Sequence, residues 1–220
     1  MPINNLMFRL SKAIIANLNS TVFEKLPFPP SWRYTILDGQ EVVAVSLSED
    51  IIRQASEIGE RIHTVARVKG LIEWMASNSA WRSAGFRGQL AAALFFCGDF
   101  QEAFKFITVG ESDQGDLLLG DTLVNVCTRA IPYGGNSETP VDNVILIDTR
   151  RFRVKPYPIY VGCQCFGDDR VIIWGYATKE QVGSLPTDTF RTKCYYKLLS
   201  ELEPIRTLKE IFTTGGLSHD

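Results

Sequence analysis

Three short segments of the chain carry the residues whose types and spacing could do chemistry. Residues 85–91 read Gly-Phe-Arg-Gly-Gln-Leu-Ala, residues 113–121 read Asp-Gln-Gly-Asp-Leu-Leu-Leu-Gly-Asp, and residues 123–129 read Leu-Val-Asn-Val-Cys-Thr-Arg. Asp116 in the second segment and Asn125 in the third are nine positions apart. Carboxylate oxygens are the ligands that Mg²⁺ prefers, so the chemistry to consider is binding of a divalent metal ion.

The order of these segments resembles the PD-(D/E)xK, or restriction-endonuclease-like, superfamily of nucleases. Members carry a Gly-x-x-Gly-Glu-x-Ala helix, a Gly-x-Asp-like strand start and an Asp-Val-Lys-Thr-Arg strand, and it is the order and spacing of such short motifs that gives them weight. The segments 143–149, 158–161 and 173–180 fit the strands and helix that close such a domain. The resemblance covers residues 51–182 and implies a restriction-endonuclease-like core with a mixed central sheet flanked by helices.

The resemblance also implies the positions of a catalytic site, and three of the four depart from the pattern. The helix carboxylate position is Gln89, the two strand carboxylates are Asp116 and Asn125, and the lysine position is Cys127. Amides have no formal charge, and a thiol is neither a permanent cation nor a hard ligand. Asp116 alone would bind a metal poorly. We therefore expect a nuclease-like domain without metal-dependent hydrolysis and without a cofactor; Mg²⁺ would be the cofactor if the site were active.

Two other assignments of a metal site remain open. An active Mg²⁺-dependent endonuclease could combine Asp116 with acids that no motif places, namely Glu73, Glu102 or Asp121. A shifted register would use Asp148 and Arg150, with Asp121 or Asp142 as the second carboxylate. Arginine does not reproduce the compact ammonium of lysine, which weighs against this register.

Each residue of the family site also has a purely structural interpretation. Asp116 follows Gly115 and could be a turn residue. Cys127 is expected to be a small buried apolar residue and not a nucleophile, because neither His63 nor His219 is placed by a motif to activate it. Gln89 is expected to hydrogen-bond to Asn125, which would fill the former metal site with a neutral pair.

The densest basic segment is residues 150–155, Arg-Arg-Phe-Arg-Val-Lys. An extended conformation would place Arg151, Arg153 and Lys155 on one face and Phe152 on the other. With Arg87 and Arg129 of the motif segments, this face could bind a phosphate backbone. A solvated strand edge that discourages aggregation is the alternative interpretation.

Composition limits the classes of function. The 220 residues are 45% hydrophobic, which is typical of a globular protein, and the net charge of −2 means that any DNA contact must be local. No apolar run approaches the length of a membrane span, and the N-terminus lacks a secretory pattern, so we expect a cytoplasmic protein with no membrane partner. Its five cysteines are expected to be free thiols. The expected partners are DNA or other protein subunits, and a structural protein of a complex or a phage particle is the third hypothesis.

Hydrophobic periodicity predicts an α+β protein, with a helix and hairpin extension at 1–47 and the nuclease-like domain at 48–220. The predicted helices cover 5–18, 48–65, 86–97, 179–182 and 195–203. The predicted strands cover 34–37 and 42–47, joined by Asp38-Gly39, and then 104–109, 116–119, 122–127, 144–148, 159–163 and 171–176.

Overall fold

A computed structural model describes residues 31–54, 56–57, 79–100, 102–103, 115–131, 144–167, 169–189 and 192–214. Several predictions fall outside these ranges and are not tested by them. They are the helix at 5–18, the strand at 104–109, the continuation of the helix that begins near Ser48, and the residues His63, Glu73, Asp142 and His219.

Among the described residues, ten strands form two sheets. They are β1 (Ser31–Leu37), β2 (Gln40–Ser46), β3 (Leu117–Leu119), β4 (Thr122–Ile131), β5 (Val144–Asp148), β6 (Ile159–Phe166), β7 (Arg170–Thr178), β8 (Thr187–Thr189), β9 (Lys193–Leu198) and β10 (Glu203–Pro204). The larger sheet has the order β1-β2-β7-β6-β4-β3, with β10 also paired to β7, and the smaller has the order β5-β9-β8. Only the β4–β6 pair among these strands is parallel, so the central sheet is mixed.

The helices of the described chain pack on both faces of the central sheet. They are α1 (Ser79–Cys97), α2 (Thr149–Val154), α3 (Lys179–Gly183) and α4 (Ile205–Thr214), with a 3₁₀ turn at Leu199–Glu201 and helical residues at 49–54 and 56–57. One apolar cluster joins α1 and α4 to the sheet, and a second joins the opposite face to the smaller sheet and to Phe152 of α2. The predicted α+β class and mixed sheet flanked by helices are confirmed. No helix within the described ranges is both long and apolar enough to cross a bilayer.

The predicted N-terminal hairpin is confirmed. Asp38 and Gly39 both adopt left-handed backbone conformations, with φ of 49° and 79°, which is the geometry of a tight turn that matches the twist of the flanking strands. β2 then pairs antiparallel with β7. The hairpin therefore forms one edge of the central sheet.

Three predictions of secondary structure are wrong or shifted. Residues 195–203 are not a helix, because Tyr195 lies in β9 between Ile147 and Thr187 of its two neighbouring strands. The C-terminal helix is α4, further along the chain. Residues 150–155 are not extended: the Asp148 carboxylate accepts from the backbone N–H of Arg150 and Arg151, at 2.8 and 3.1 Å, and caps α2. Finally, α1 begins at Ser79, so residues 85–91 lie in its middle.

The contact between α1 and β4 sets the depth at which the helix sits. A Cβ atom on Gly88 would lie 1.9 Å from Oγ1 of Thr128, so only glycine permits this approach. The same hydroxyl donates to the carbonyl oxygen of Gly85, at 3.5 Å. Two residues after Gly88, Leu90 and the three alanines that follow it are fully buried. Because Gly88 has no side chain, α1 lies close to β4, and this close approach sets the position of Gln89 relative to the sheet.

We expect Gly88→Ala to lower the free energy of unfolding by about 1–3 kcal/mol, because the added methyl group must displace Thr128. Urea unfolding followed by circular dichroism measures this. Gly85→Ala is the matched control, since its Cβ would meet no atom within 4 Å. Alanine favours a helix over glycine by about 1 kcal/mol, so this variant should be neutral or more stable. Equal effects at the two positions would contradict the packing argument.

Candidate functional site around Asp116

Asp116 lies at the entrance of β3, where a turn brings it beside β4. Gly115 has a φ of +95°, and the backbone N–H of Asp116 donates to the carbonyl oxygen of Val124 at 2.9 Å. β4 continues well beyond the short β3, as far as Ile131. The Asp116 side chain therefore reaches the part of β4 that β3 no longer covers, which agrees with the turn interpretation of this residue and adds a second role.

The carboxylate of Asp116 accepts hydrogen bonds from at least three neutral donors. Nε2 of Gln89 donates to Oδ1 at 2.5 Å, and Nδ2 of Asn125 donates to Oδ2 at 2.9 Å. The backbone N–H of Val126 also donates to Oδ2, at 2.6 Å. The expected direct hydrogen bond between Gln89 and Asn125 is replaced by these two bonds to the carboxylate between them. Asp116 thus joins α1, β3 and β4 at one point.

The alternation of β4 places Asn125, Cys127 and Arg129 on the face opposite α1. The Cys127 thiol donates to Oδ1 of Asn125, with 3.4 Å between sulfur and oxygen. This contact leaves the Asn125 amide nitrogen directed at Asp116. The four family positions are therefore one connected hydrogen-bonded group, in which the thiol orients the amide and the amide binds the carboxylate.

The surroundings of Cys127 keep its thiol protonated. Burial and, to a smaller extent, the Asp116 carboxylate raise the pKa of Cys127 to about 12, against the opposite effect of Arg129 and Arg151. The pKa of the nearby Tyr160 is also raised to about 12, mainly by burial. Cys127 packs against the apolar cluster that includes Phe152. These properties belong to an inert side chain, since a reactive cysteine needs its thiolate.

The residues around Asp116 fit a divalent cation poorly. Such a cation needs several anionic oxygens, whereas Gln89, Asn125 and Val126 present N–H donors to this carboxylate. In the described part of the chain, no group of three or more His, Cys, Asp and Glu residues could hold a metal ion. Asp121 is exposed in the turn between β3 and β4.

The shifted register is also disfavoured, because Asp148 has a structural role. Burial raises the pKa of Asp148, but hydrogen bonds from Thr192 and from the N–H groups of Arg151 and Arg150 outweigh it and hold the pKa below its usual value. The two N–H donors belong to the capped start of α2, whereas Thr192 directly precedes β9. The signal for this cap is visible in the sequence as an aspartate directly before a polar helical segment.

The basic residues divide into exposed and buried groups. Arg151 and Arg153 are exposed on α2, but helical geometry turns them about 200° apart, so the predicted single face is wrong. Arg129 is half-buried, and both it and Arg151 lie close enough to Cys127 to lower the pKa of its thiol. Lys155 is exposed at the end of α2, with its ammonium 5.7 Å from the centre of the Tyr157 ring. By contrast Arg87 is only 6% exposed and offers little surface to a phosphate.

Comparisons with known proteins add no relationship: no family model matches the chain, and neither the curated proteins nor the solved structures contain a significant match.

Residues that the sequence reasoning missed are those that hold the site in place. Thr128 belongs to the strand motif without an expected role of its own, yet its hydroxyl lies against Gly85 and Gly88. The backbone N–H of Val126 contributes a donor to Asp116 that no side-chain motif can reveal. The spacing of the two glycines was the available signal for close helix packing.

We expect Asp116→Asn to lower the free energy of unfolding by about 2 kcal/mol, because one of the three donors would then face an NH₂ group. Urea unfolding measures this change. Asp121→Asn, at an exposed turn position, should change it by less than about 0.5 kcal/mol. A gain in stability for Asp116→Asn would argue against a stabilising role for this carboxylate. Removal of a carboxylate increases stability when its negative charge is not compensated, as in a metal site without its cation.

In the folded protein near neutral pH, we expect iodoacetamide to modify the exposed Cys97 well before Cys127. With a pKa of about 12, the Cys127 thiol stays protonated, and its reactivity should increase only as the pH approaches that value. Peptide mapping by mass spectrometry at several pH values follows both thiols in one sample. Comparable rates for the two cysteines at neutral pH would show that Cys127 is a usable nucleophile.

Proposed function

We propose that this chain is a nuclease-like domain that binds nucleic acid without hydrolysing it. The nuclease-like part rests on the order and spacing of the motifs in residues 51–182. The non-hydrolytic part rests on one observation: both oxygens of Asp116 accept hydrogen bonds from neutral groups on neighbouring elements. A carboxylate engaged in this way stabilises the fold and is poorly placed to serve as a metal ligand.

Support for binding comes from the charge beside this site. The segment from Thr149 to Lys155 carries four cationic side chains, those of Arg150, Arg151, Arg153 and Lys155, and all four are exposed. Arg129 approaches the same region from β4. Phosphate contacts from such residues give affinity without sequence preference, because base edges are not read. We therefore propose a local and salt-sensitive contact with a phosphate backbone.

The first arm of the test measures cleavage. A labelled oligonucleotide and a plasmid are incubated with the chain and either Mg²⁺ or Mn²⁺, and the products are separated by electrophoresis. We expect no cleavage above that of the Asp116→Ala variant. Metal-dependent cleavage that is present in the native chain and lost in Asp116→Ala would refute the proposal and favour an active endonuclease.

The second arm measures binding. Fluorescence anisotropy with single- and double-stranded DNA, repeated over a range of salt concentrations, should give an affinity that falls linearly on a logarithmic plot. Arg151→Gln should reduce the steepness of that plot by about one unit, because one phosphate contact is lost.

Arg53→Gln is the matched control for the binding arm, because it also removes one exposed arginine. Its helical segment packs through Ile51 into the apolar cluster on the α1 side, away from α2. This variant should leave the salt dependence unchanged. If the native chain binds no DNA even at low salt, the nucleic-acid proposal is wrong, and the surface of α2 would be better assigned to a protein partner.

A further inference from the structure

A small cavity lies on the other side of the molecule, between the end of α1, the β3–β4 turn and α4. Its volume is about 170 Å³, and its walls include Phe96, Leu118, Leu119 and Phe212. Leu118 is 43% exposed, so part of this apolar surface faces solvent. Lys209 and Thr213, one turn apart on α4, supply the polar part of the wall.

Lys209 is the unusual member of this wall. Its ammonium lies 4.1 Å from the centre of the Trp32 ring and 4.3 Å from that of Phe95, and it donates to the carbonyl oxygen of Phe95 at 2.7 Å. An ammonium has three N–H donors. Within the described part of the chain, only that one hydrogen bond occupies them, and no carboxylate pairs with Lys209.

The hydrogen bond to Phe95 explains why a cation is tolerated here. Phe95 lies in the last turn of α1, where carbonyl groups lack helical partners and carry a partial negative charge of about half a unit. The ammonium carries a full positive charge, which is larger than this partial charge. Burial among aromatic rings lowers the pKa of Lys209, and an anion bound nearby would reverse this effect.

We propose that this cavity binds a small organic anion, a carboxylate attached to one ring or to a short alkyl chain, with Lys209 pairing the charge and the Phe96, Leu118 and Phe212 side chains covering the apolar part. The size fits, because an apolar cavity of about 150 Å³ in another protein accommodates a benzene ring. The charge fits as well, because a partly buried cation with no carboxylate partner among the described residues is the group that a carboxylate complements. This site is independent of the proposed nucleic-acid contact.

Benzoate is a suitable probe, and benzyl alcohol is its uncharged counterpart of nearly equal size. Titration of the full chain, followed by amide NMR spectra, should shift signals from Cys97, Gly120 and Thr213, which line the cavity. We expect benzoate to bind at least about tenfold more tightly than benzyl alcohol, since the charged hydrogen bond is made only by the carboxylate.

Three variants separate the contributions of charge and shape. Lys209→Met should abolish the preference for benzoate while leaving benzyl alcohol binding in place. Thr213→Met, at an exposed position, should weaken both ligands by filling the cavity without disturbing the core. Lys193→Met, which removes an exposed lysine from β9, should change neither.

Two results would overturn the proposal. Equal affinity of the native chain for benzoate and benzyl alcohol, or the absence of shifts at the cavity residues, would show that Lys209 serves only the end of α1. Binding that is detected only after removal of residues 215–220 would show that the tail following α4 is the occupant, and that no small anion is needed.

Discussion

The hydrogen bonds of the Asp116 carboxylate are the interaction on which the arrangement of the central elements depends. They reach from the middle of α1, through Gln89, to two successive residues of β4. Together with the hydrogen bond from Thr128 to Gly85, they fix the helix and the strand in register. The interaction is possible because Gly88 lets the helix lie directly on Thr128. The hydrogen bonds of Asp116 and the close packing at Gly88 therefore stabilise the same contact between α1 and β4.

Charge balance explains why the connected group contains amides and a thiol. Neutral donors stabilise a half-buried carboxylate, whereas further carboxylates would repel it unless a cation were present. The Cys127 thiol extends the group toward the smaller sheet and remains uncharged because of its surroundings. The result is a polar cluster in which neutral groups from α1 and β4 surround the Asp116 carboxylate. Its charged neighbours, Arg129 and Arg151, lie at its border, where a polyanion could reach them.

Strands whose patterns depend on local residue preferences were predicted well from the sequence. The strand Val144–Asp148 agrees in both limits, and Asp38-Gly39 determines the first hairpin through its turn geometry.

The prediction failed where contacts with residues distant in sequence, or a helix cap, determine the secondary structure. Residues 195–198 contain apolar positions compatible with a helix, but they form the middle strand of a three-stranded sheet. Likewise, the basic segment after Asp148 forms a helix because that aspartate caps it, and the strand alternation assumed for it ignored the cap. Motif order placed Gln89, Asp116 and Asn125 in one site, and the structure brings them together. That both amides donate to the Asp116 carboxylate could not be predicted from the sequence.

The close seating of α1 on β4 has a consequence for substitutions of the amides beside Asp116. Changing either Gln89 or Asn125 to its acid would bring a second carboxylate to within hydrogen-bonding distance of the first. Two carboxylates this close share one proton, so the pair would titrate as a unit and its charge would depend on pH. The amides therefore make the contact between helix and strand less sensitive to pH than two acids would.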